Sequence, residues 1–176
     1  MFATIYLPDF FLQSALRHQS LLWEKPVVLL DDLETKATII ALNEPAIRAG
    51  VQKGMTASQG LARCEHLIIK TRRRPQEEVL DQLLLQHAFA LSPYVEATGP
   101  GICTVQFTGQ RAVTQKVVTL IELLLELGVT AQAGIGPSPD LSRLAAHVAQ
   151  PVAQVDDEQA FLAPLPIESL DAVYSE

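Results

Sequence analysis

Few stretches of this 176-residue sequence combine residue types that could do chemistry. Asp31-Asp32 is a carboxylate pair, and Asp9 stands between a proline and two phenylalanines. Clustered carboxylates are what hold divalent cations. Cys64-Glu65-His66 sets a thiol near an imidazole, the elements of a nucleophile or of part of a metal shell. Lys70, Arg72, Arg73 and Arg74 form a basic run of the kind that meets backbone phosphates. Against these stands "SPYVEATGPGICTVQFTG" at residues 92 to 109, two strand-like runs joined by Gly99-Pro100-Gly101. A hairpin within a sheet is a common mount for catalytic groups. The tip of this one carries no carboxylate, histidine or lysine.

Each acidic or nucleophilic candidate also has a plainer reading. Asp9 is placed to cap a helix. Asp31-Asp32 falls in a turn between strands, where a solvated pair is the ordinary outcome. Only two cysteines exist, so three metal ligands cannot be assembled around Cys64, and Cys64-Glu65-His66 is read as structural. His147 lies four residues after Arg143 and is read as a surface or boundary residue rather than a base. The basic run is either a phosphate contact or a solvated face at the junction of two lobes.

The elements that must position these residues follow from local patterning. Phe2 to Leu7 is a short strand stopped by Pro8, and a helix runs from Asp9 to about Gln19. Residues 26–30 and 36–42 are strand-like, with an acidic turn between them. Short helices follow at 44–50 and 56–64, then a strand at "HLIIK". "RPQEEVLDQLLLQHAFAL" is a firmer helix, with Pro75 and two glutamates in its first turn and Leu80, Leu83, Leu84 and Ala88 as its inward stripe. A second long helix repeats Val113, Val117, Ile121, Leu124 and Leu125 and stops at Gly128. "VTAQAGIG" is a strand. Ser138 caps a helix with Pro139 at its first position, and Pro151 marks its end. "DDEQAFL" and "LPIESLDAVYSE" read as short helices.

The net charge is −7, which argues against coating nucleic acid by charge alone. The charge is uneven: from Arg111 onward the basic residues are Arg111, Lys116 and Arg143 alone. Two separated cysteines suit a reducing compartment. No apolar run approaches the ~20 residues of a membrane span, and the first residues lack the basic region of a signal peptide. A cytoplasmic protein is expected.

Several stretches, in order, resemble the Y-family (DinB/UmuC-like, translesion) DNA polymerases. "IYLPDFFLQSAL" resembles their opening strand and paired-aromatic helix start. "AIRAGVQKGMTASQGLARCEHL" resembles the fingers segment, and the hairpin at 92–109 resembles the palm hairpin. "AGIGPSPDLSRLAAHVAQP" and "AFLAPLPIESL" resemble the following strand and helix and the beginning of the thumb. The resemblance implies an α+β fold: a ferredoxin-like polymerase palm, a mixed sheet with helices on one face, carrying a small α/β fingers insertion after its first strand. Palm is expected at 1–11 and 71–162, fingers at 12–70, and the start of a thumb at 163–176. The rest of a thumb and a little-finger domain do not follow in this sequence, as expected of a fragment or of a naturally short form, and DNA binding is expected to be weak without them.

The family performs two-metal phosphoryl transfer, in which carboxylates hold two Mg²⁺ ions ~4 Å apart. Aligned on the flanking motifs, its three carboxylate positions are occupied here by Tyr6, Gly101 and Ile102. The resemblance therefore implies that catalytic residues, metal sites and the Mg²⁺ cofactor are lost. The family's phosphate-gripping tyrosine and arginine fall on Glu44 and Ile47, and a carboxylate beside a triphosphate repels it. Phe10 and Phe11 at the aromatic gate, and Arg143 in place of a phosphate-binding lysine, are the vestiges of a nucleotide site. Glu96 aligns with a family glutamate that is not a metal ligand. Lost carboxylates on a retained scaffold resemble the ImuB-like branch, thought to bridge a replicative-type polymerase, a RecA-like partner and the sliding clamp. The leading expectation is a non-catalytic scaffold in DNA repair. The alternatives are a nucleotidyltransferase that uses Asp9 or Asp31-Asp32, and a pure protein-interaction domain.

Overall fold

The computed structural model describes residues 1–31, 37–109 and 111–166. Asp32 and most of the segments expected at 163–176 and in "LPIESLDAVYSE" lie outside the described residues. The chain falls into two compact units: Met1–Pro8 with the residues from Asp81 onward, and Asp9–Leu80. The sequence reading divides the lobes at 11/12 and 70/71, whereas the division by contact runs at 8/9 and 80/81. Both units are mixed α+β.

The first unit is built on a five-stranded sheet of order β5-β6-β1-β7-β8. Its strands are β1 (Phe2–Tyr6), β5 (Val95–Gly99), β6 (Ile102–Gln106), β7 (Gln132–Gly136) and β8 (Val152–Gln154). All neighbours are antiparallel except β7 and β8. β1 is central and buried, as its "FATIY" composition requires. β8 is absent from the sequence reading, which ends a helix at Pro151 and assigns nothing before "DDEQAFL". It is three residues long, and its strand character comes from the parallel pairing with β7 rather than from local pattern.

The helices follow the expected spacing with two corrections. α4 (Arg74–Phe89) buries Leu80, Leu84 and Ala88, while Leu83 is half-buried. α5 (Val113–Glu126) buries Val113, Val117, Leu120, Ile121 and Leu124. Leu125, expected in that stripe, is 64% exposed. One residue turns the helix by ~100°, so Leu124 and Leu125 cannot share a narrow face. α6 (Pro139–Val148) starts as predicted, with the Ser138 hydroxyl accepting the Leu141 N–H at 3.3 Å. α7 (Glu158–Leu162) closes the described chain, with the Asp157 carboxylate accepting the Ala160 N–H.

α6 lies directly on the sheet. Phe2, Thr4 and Tyr6 share one face of β1 by alternation, and Thr4 and Tyr6 meet α6 through Ser142 and His147. The approach is possible because β7 presents Gly134. A Cβ there would fall within the van der Waals radii of the Ser142 carbonyl oxygen and the Ala146 amide nitrogen. Both are backbone atoms, so relief needs the helix to move. Three buried hydroxyls complete the contact. Ser142 Oγ donates to the Pro139 carbonyl at 2.8 Å. Each hydroxyl has one proton, so Thr4 must donate to Ser142 (2.8 Å) and Thr104 to Thr4 (3.0 Å).

The second unit carries a three-stranded sheet of order β3-β2-β4: β2 (Val27–Leu30), β3 (Ile39–Leu42) and β4 (Ile68–Thr71). β2 pairs antiparallel with β3 and parallel with β4. "VVLL" is apolar without alternation because both of its faces are buried. Val28 and Leu30 join Ile39, Leu42, Ala46, Val51 and Leu67, while Val27 and Leu29 pack with Leu12, Leu16 and Ala41. The helices are α1 (Phe10–Leu16), α2 (Glu44–Arg48) and α3 (Ala57–Arg63). Thr56 and Gln59 form a reciprocal capping box on α3.

Asn43, the cap of α2, joins several parts of this unit. Its Oδ1 accepts the N–H groups of Val27 (2.9 Å) and Ala46 (3.3 Å). Its Nδ2 donates to the carbonyls of Leu22, Trp23 and Lys25. Buried and satisfied on both ends, the amide ties the start of β2 to the loop before it.

Two substitutions test these contacts. Gly134→Ala should lose about 3 kcal/mol of unfolding free energy, the upper range for overpacking, read from urea midpoints. A wild-type midpoint would mean that α6 shifts without penalty. Asn43→Asp, which cannot donate to the three carbonyls, should lose about 2–3 kcal/mol in the same assay. An unchanged midpoint would show that solvent serves those carbonyls.

Candidate functional site

Antiparallel pairing of β1 with β6 brings together Tyr6, Gly101 and Ile102, the residues that the sequence reading aligned with the family's carboxylates. Tyr6 stands opposite Ile102 in register, and the Leu7 N–H donates to the Gly101 carbonyl at 2.9 Å. The β5–β6 tip turns through Gly101, whose φ of 70° is strained for a side-chain-bearing residue. An aspartate, with its Cβ, would be strained in this turn, and glycine is not.

What occupies the site has little affinity for a cation. Ile102 is 2% exposed and aliphatic. The Tyr6 ring stacks on the His147 imidazole of α6, centroids 4.2 Å apart and planes tilted by 34°. His147 is thus half-buried against the sheet, at the boundary position that its spacing suggested. Arg143, one turn earlier on α6, is also half-buried. Asp81 of α4 is the carboxylate that reaches the tip, its Oδ1 accepting the Gly101 N–H at 2.7 Å. One half-buried carboxylate already engaged by an amide does not make the oxygen cage that two Mg²⁺ ions need. Among the described residues no group of three or more His, Cys, Asp and Glu side chains is placed to hold a metal. The residues present do not fit the family's metal pair.

Asp81 has a second neighbour. Cys103, buried opposite Ile5, has its thiol pushed up to about 12, first by burial and then by the Asp81 charge, with a backbone hydrogen bond at Ile5 acting the other way. It stays a neutral core thiol, not a nucleophile.

In the second unit the two phenylalanines read as an aromatic gate lie on α1. Phe10 is buried and meets Phe11 edge-on, centroids 5.4 Å apart. The Arg72 guanidinium stacks over the Phe11 ring, 4.1 Å from its centroid. It also forms a fork with Glu77: Nε to Oε1 at 2.6 Å and Nη2 to Oε2 at 2.9 Å. The Glu77 hydrogen bond raises the Arg72 pKa against the opposing effect of burial, with the charges of Glu77 and Asp31 adding. The basic run is therefore split. Arg72 turns inward, Lys70 Nζ donates to Gln19 Oε1 at 2.9 Å, and Arg73 and Arg74 are exposed.

The other candidates stay apart. Asp9 sits at the N-cap of α1 in a left-handed conformation, and its side chain makes no cap hydrogen bond. The expected capping role is corrected: with φ 49° its carboxylate is not offered to the first-turn N–H groups, and its carbonyl accepts the Gln13 N–H instead. Asp31 contributes its charge to Arg72. Glu44 is exposed on α2 and faces Arg48 at 3.7 Å, while Ile47 is exposed beside it. Cys64 is half-buried, with Glu65 and His66 exposed, and Glu96 is exposed on β5. Reasoning along the sequence missed Asp81, Glu77 and Asn43. Asp81 and Glu77 act on Gly101 and Arg72, outside their own helical turn, while Asn43 caps α2 at Ala46 and also reaches Val27 and the carbonyls before β2.

The chain spans about half, or less, of the length of the relatives it matches. It is 29% identical over 184 aligned residues to the DNA repair protein REV1 of Arabidopsis thaliana, covering 97% of this chain and 16% of that one. It is 26% identical to DNA polymerase IV of Pectobacterium atrosepticum, covering 93% and 49%. DNA polymerase IV of Legionella pneumophila is 24% identical, with 85% and 44% covered. Among solved structures, an insertion ternary complex of Dbh DNA polymerase superposes with a TM-score of 0.81 over 96% of this chain and 53% of that one. DinB from Sulfolobus solfataricus gives 0.78 over 96% and 52%. At 18% identity both speak to the fold, which is that of their palm and fingers. Residues 5–147 match the impB/mucB/samB family, so the chain belongs to that family of Y-family DNA polymerase homologues.

Proposed function

We infer that this chain is a non-catalytic palm and fingers module of the ImuB-like kind, acting as a scaffold in DNA repair by translesion synthesis. The observation that carries this reading is the meeting of Tyr6, Gly101 and Ile102 at the ends of β1 and β6. Phosphoryl transfer by two metals depends on charge neutralisation at the reacting phosphate. An aromatic ring, a glycine and an isoleucine supply none of the carboxylate oxygen that this takes. The Tyr6–His147 stack further supports the reading, because it fills the position with packed rings.

Under this proposal the module keeps its fold and offers surfaces in place of chemistry. The partners in view are a replicative-type polymerase, a RecA-like protein and the sliding clamp, in the cytoplasm, with DNA held weakly. Its relatives are named for DNA repair and DNA polymerisation, and that naming supports a place in the same process. Among the described residues no helix is long and apolar enough to cross a membrane.

The test is thermal melting of the chain with a deoxynucleoside triphosphate and Mg²⁺ or Mn²⁺, paired with primer extension. No extension and no shift at millimolar ligand are expected. A ligand at ~100 times its Kd adds about 2.7 kcal/mol, or roughly 5–10 °C for this size. A metal-dependent rise of that order, or nucleotide incorporation, would replace the scaffold with a nucleotidyltransferase built on other carboxylates such as Asp9 or Asp31.

A further inference from the structure

The β5 edge of the five-stranded sheet carries a pocket that lies away from the hairpin tip. β5 is the last strand of the order and, among the described residues, pairs on one side only, with β6. The Gln106 N–H donates to the Tyr94 carbonyl at 2.9 Å, while the Phe107 N–H donates to Met1 on the opposite side of β6. By alternation Glu96 turns its backbone groups inward to Thr104, its partner in register, and the N–H and C=O groups of Val95 and Ala97 point out of the sheet. Such an edge offers backbone donors and acceptors to another extended segment.

The same alternation gathers side chains beside that edge. Tyr94, Gln106 and Phe2 form one row across β5, β6 and β1, and Glu96, Thr104 and Thr4 form the next, all on the face that bears α6. A pocket of about 200 Å³ lies on these rows, with Val95 and Pro139 of α6 completing its lining. Phe2 and Tyr94 stand two strands apart, roughly 10 Å, so a side chain can enter between their rings. Glu96 is the charged residue of the lining; no basic side chain lines the pocket, and among the described residues none pairs with Glu96. The volume is below the usual range of small-molecule pockets and suits a single side chain. Two aromatic rings and a carboxylate without a competing cation are the chemistry that holds a guanidinium. The wider charge agrees. Met1–Pro8 and the residues from Asp81 onward hold eleven acidic residues against three basic ones, whereas Asp9–Leu80 is nearly balanced at nine against ten.

We propose that this edge docks an extended segment of a partner protein, which adds to β5 as an antiparallel strand and seats an arginine side chain between Phe2 and Tyr94 against Glu96. Main-chain bonds supply the adhesion and the pocket supplies the choice of sequence. In that register the partner residues opposite Val95 and Ala97 exchange N–H···O=C bonds with them. The residue between, opposite Glu96, turns its side chain onto the pocket face. Arginine suits the site better than lysine, because its planar group stacks on rings and meets both oxygens of a carboxylate. The pocket stands at the Phe2 end of β1, away from Tyr6, and does not depend on whether the palm is catalytic.

The test uses the full chain and a fluorescein-labelled peptide of about nine residues, the length of a long strand, made of threonines with a central arginine between two valines. Anisotropy is read at low salt. Replacing the arginine by citrulline, which keeps the shape and loses the charge, should weaken binding about fivefold. N-methylation of both valines, which removes the donors facing Val95 and Ala97, should weaken it about tenfold. Glu96→Gln should erase the difference between the arginine and citrulline peptides, and Tyr94→Ala should weaken arginine binding about threefold to fivefold. Glu122→Gln, an equal loss of charge exposed on α5, should change neither. Glu96 and Tyr94 are exposed, so all variants should melt as wild type. Equal binding of the arginine and citrulline peptides, or equal effects of Glu96→Gln and Glu122→Gln, overturns the pocket. Undiminished binding of the N-methylated peptide overturns strand addition, and no binding of the arginine peptide by the wild type overturns the whole proposal.

Discussion

The contact on which the first unit depends is backbone against backbone: α6 resting on β7 at Gly134. A helix normally stands off a sheet by the length of its side chains. Here the missing Cβ lets it settle until Ser142 reaches Thr4 and, through it, Thr104. That chain of three hydroxyls crosses from helix to central strand to hairpin, and its proton order is set by the Pro139 carbonyl at one end. The same seating brings His147 over Tyr6.

The second unit depends on a different device. Its sheet is short and its central strand is covered on both sides, so apolar burial alone leaves the loops around it undefined. Asn43 supplies the definition, with five hydrogen bonds from one amide. Arg72 plays the corresponding part at the other side, held by Glu77 and stacked on Phe11. Its charge is spent within the fold. Lys70 and Arg73, two residues before it and one after, line a groove beside α1 instead.

Local physics made much of this legible in advance. The cap at Ser138, the helix beginning at 56, the stripe of α5 and the apolar "VVLL" each rest on residues within a few positions of one another. Leu125 and Asp9 show the limit of such rules. A helical stripe has an edge that spacing does not locate to a single residue, and a capping residue caps only when its backbone is extended. β8 shows another limit, since three residues become a strand only because β7 lies beside them.

By itself the sequence determined the residue types at Tyr6, Gly101 and Ile102, the positions that the resemblance aligns with the family's carboxylates. It also determined the α+β character and the concentration of ten of the 13 lysines and arginines before residue 81. Only the tertiary structure decided what surrounds those three positions. Thr4 and Thr104 are 100 residues apart, and Tyr6 and His147 are further still. No local propensity records such a meeting, because it comes from burying the two sides of a sheet at once. The same holds for Asp81 at the hairpin tip and for the inward turn of Arg72 beside three basic neighbours of similar type. Composition names a group's charge. Which groups neutralise it, and which are left to face a ligand, is settled only when separate elements pack.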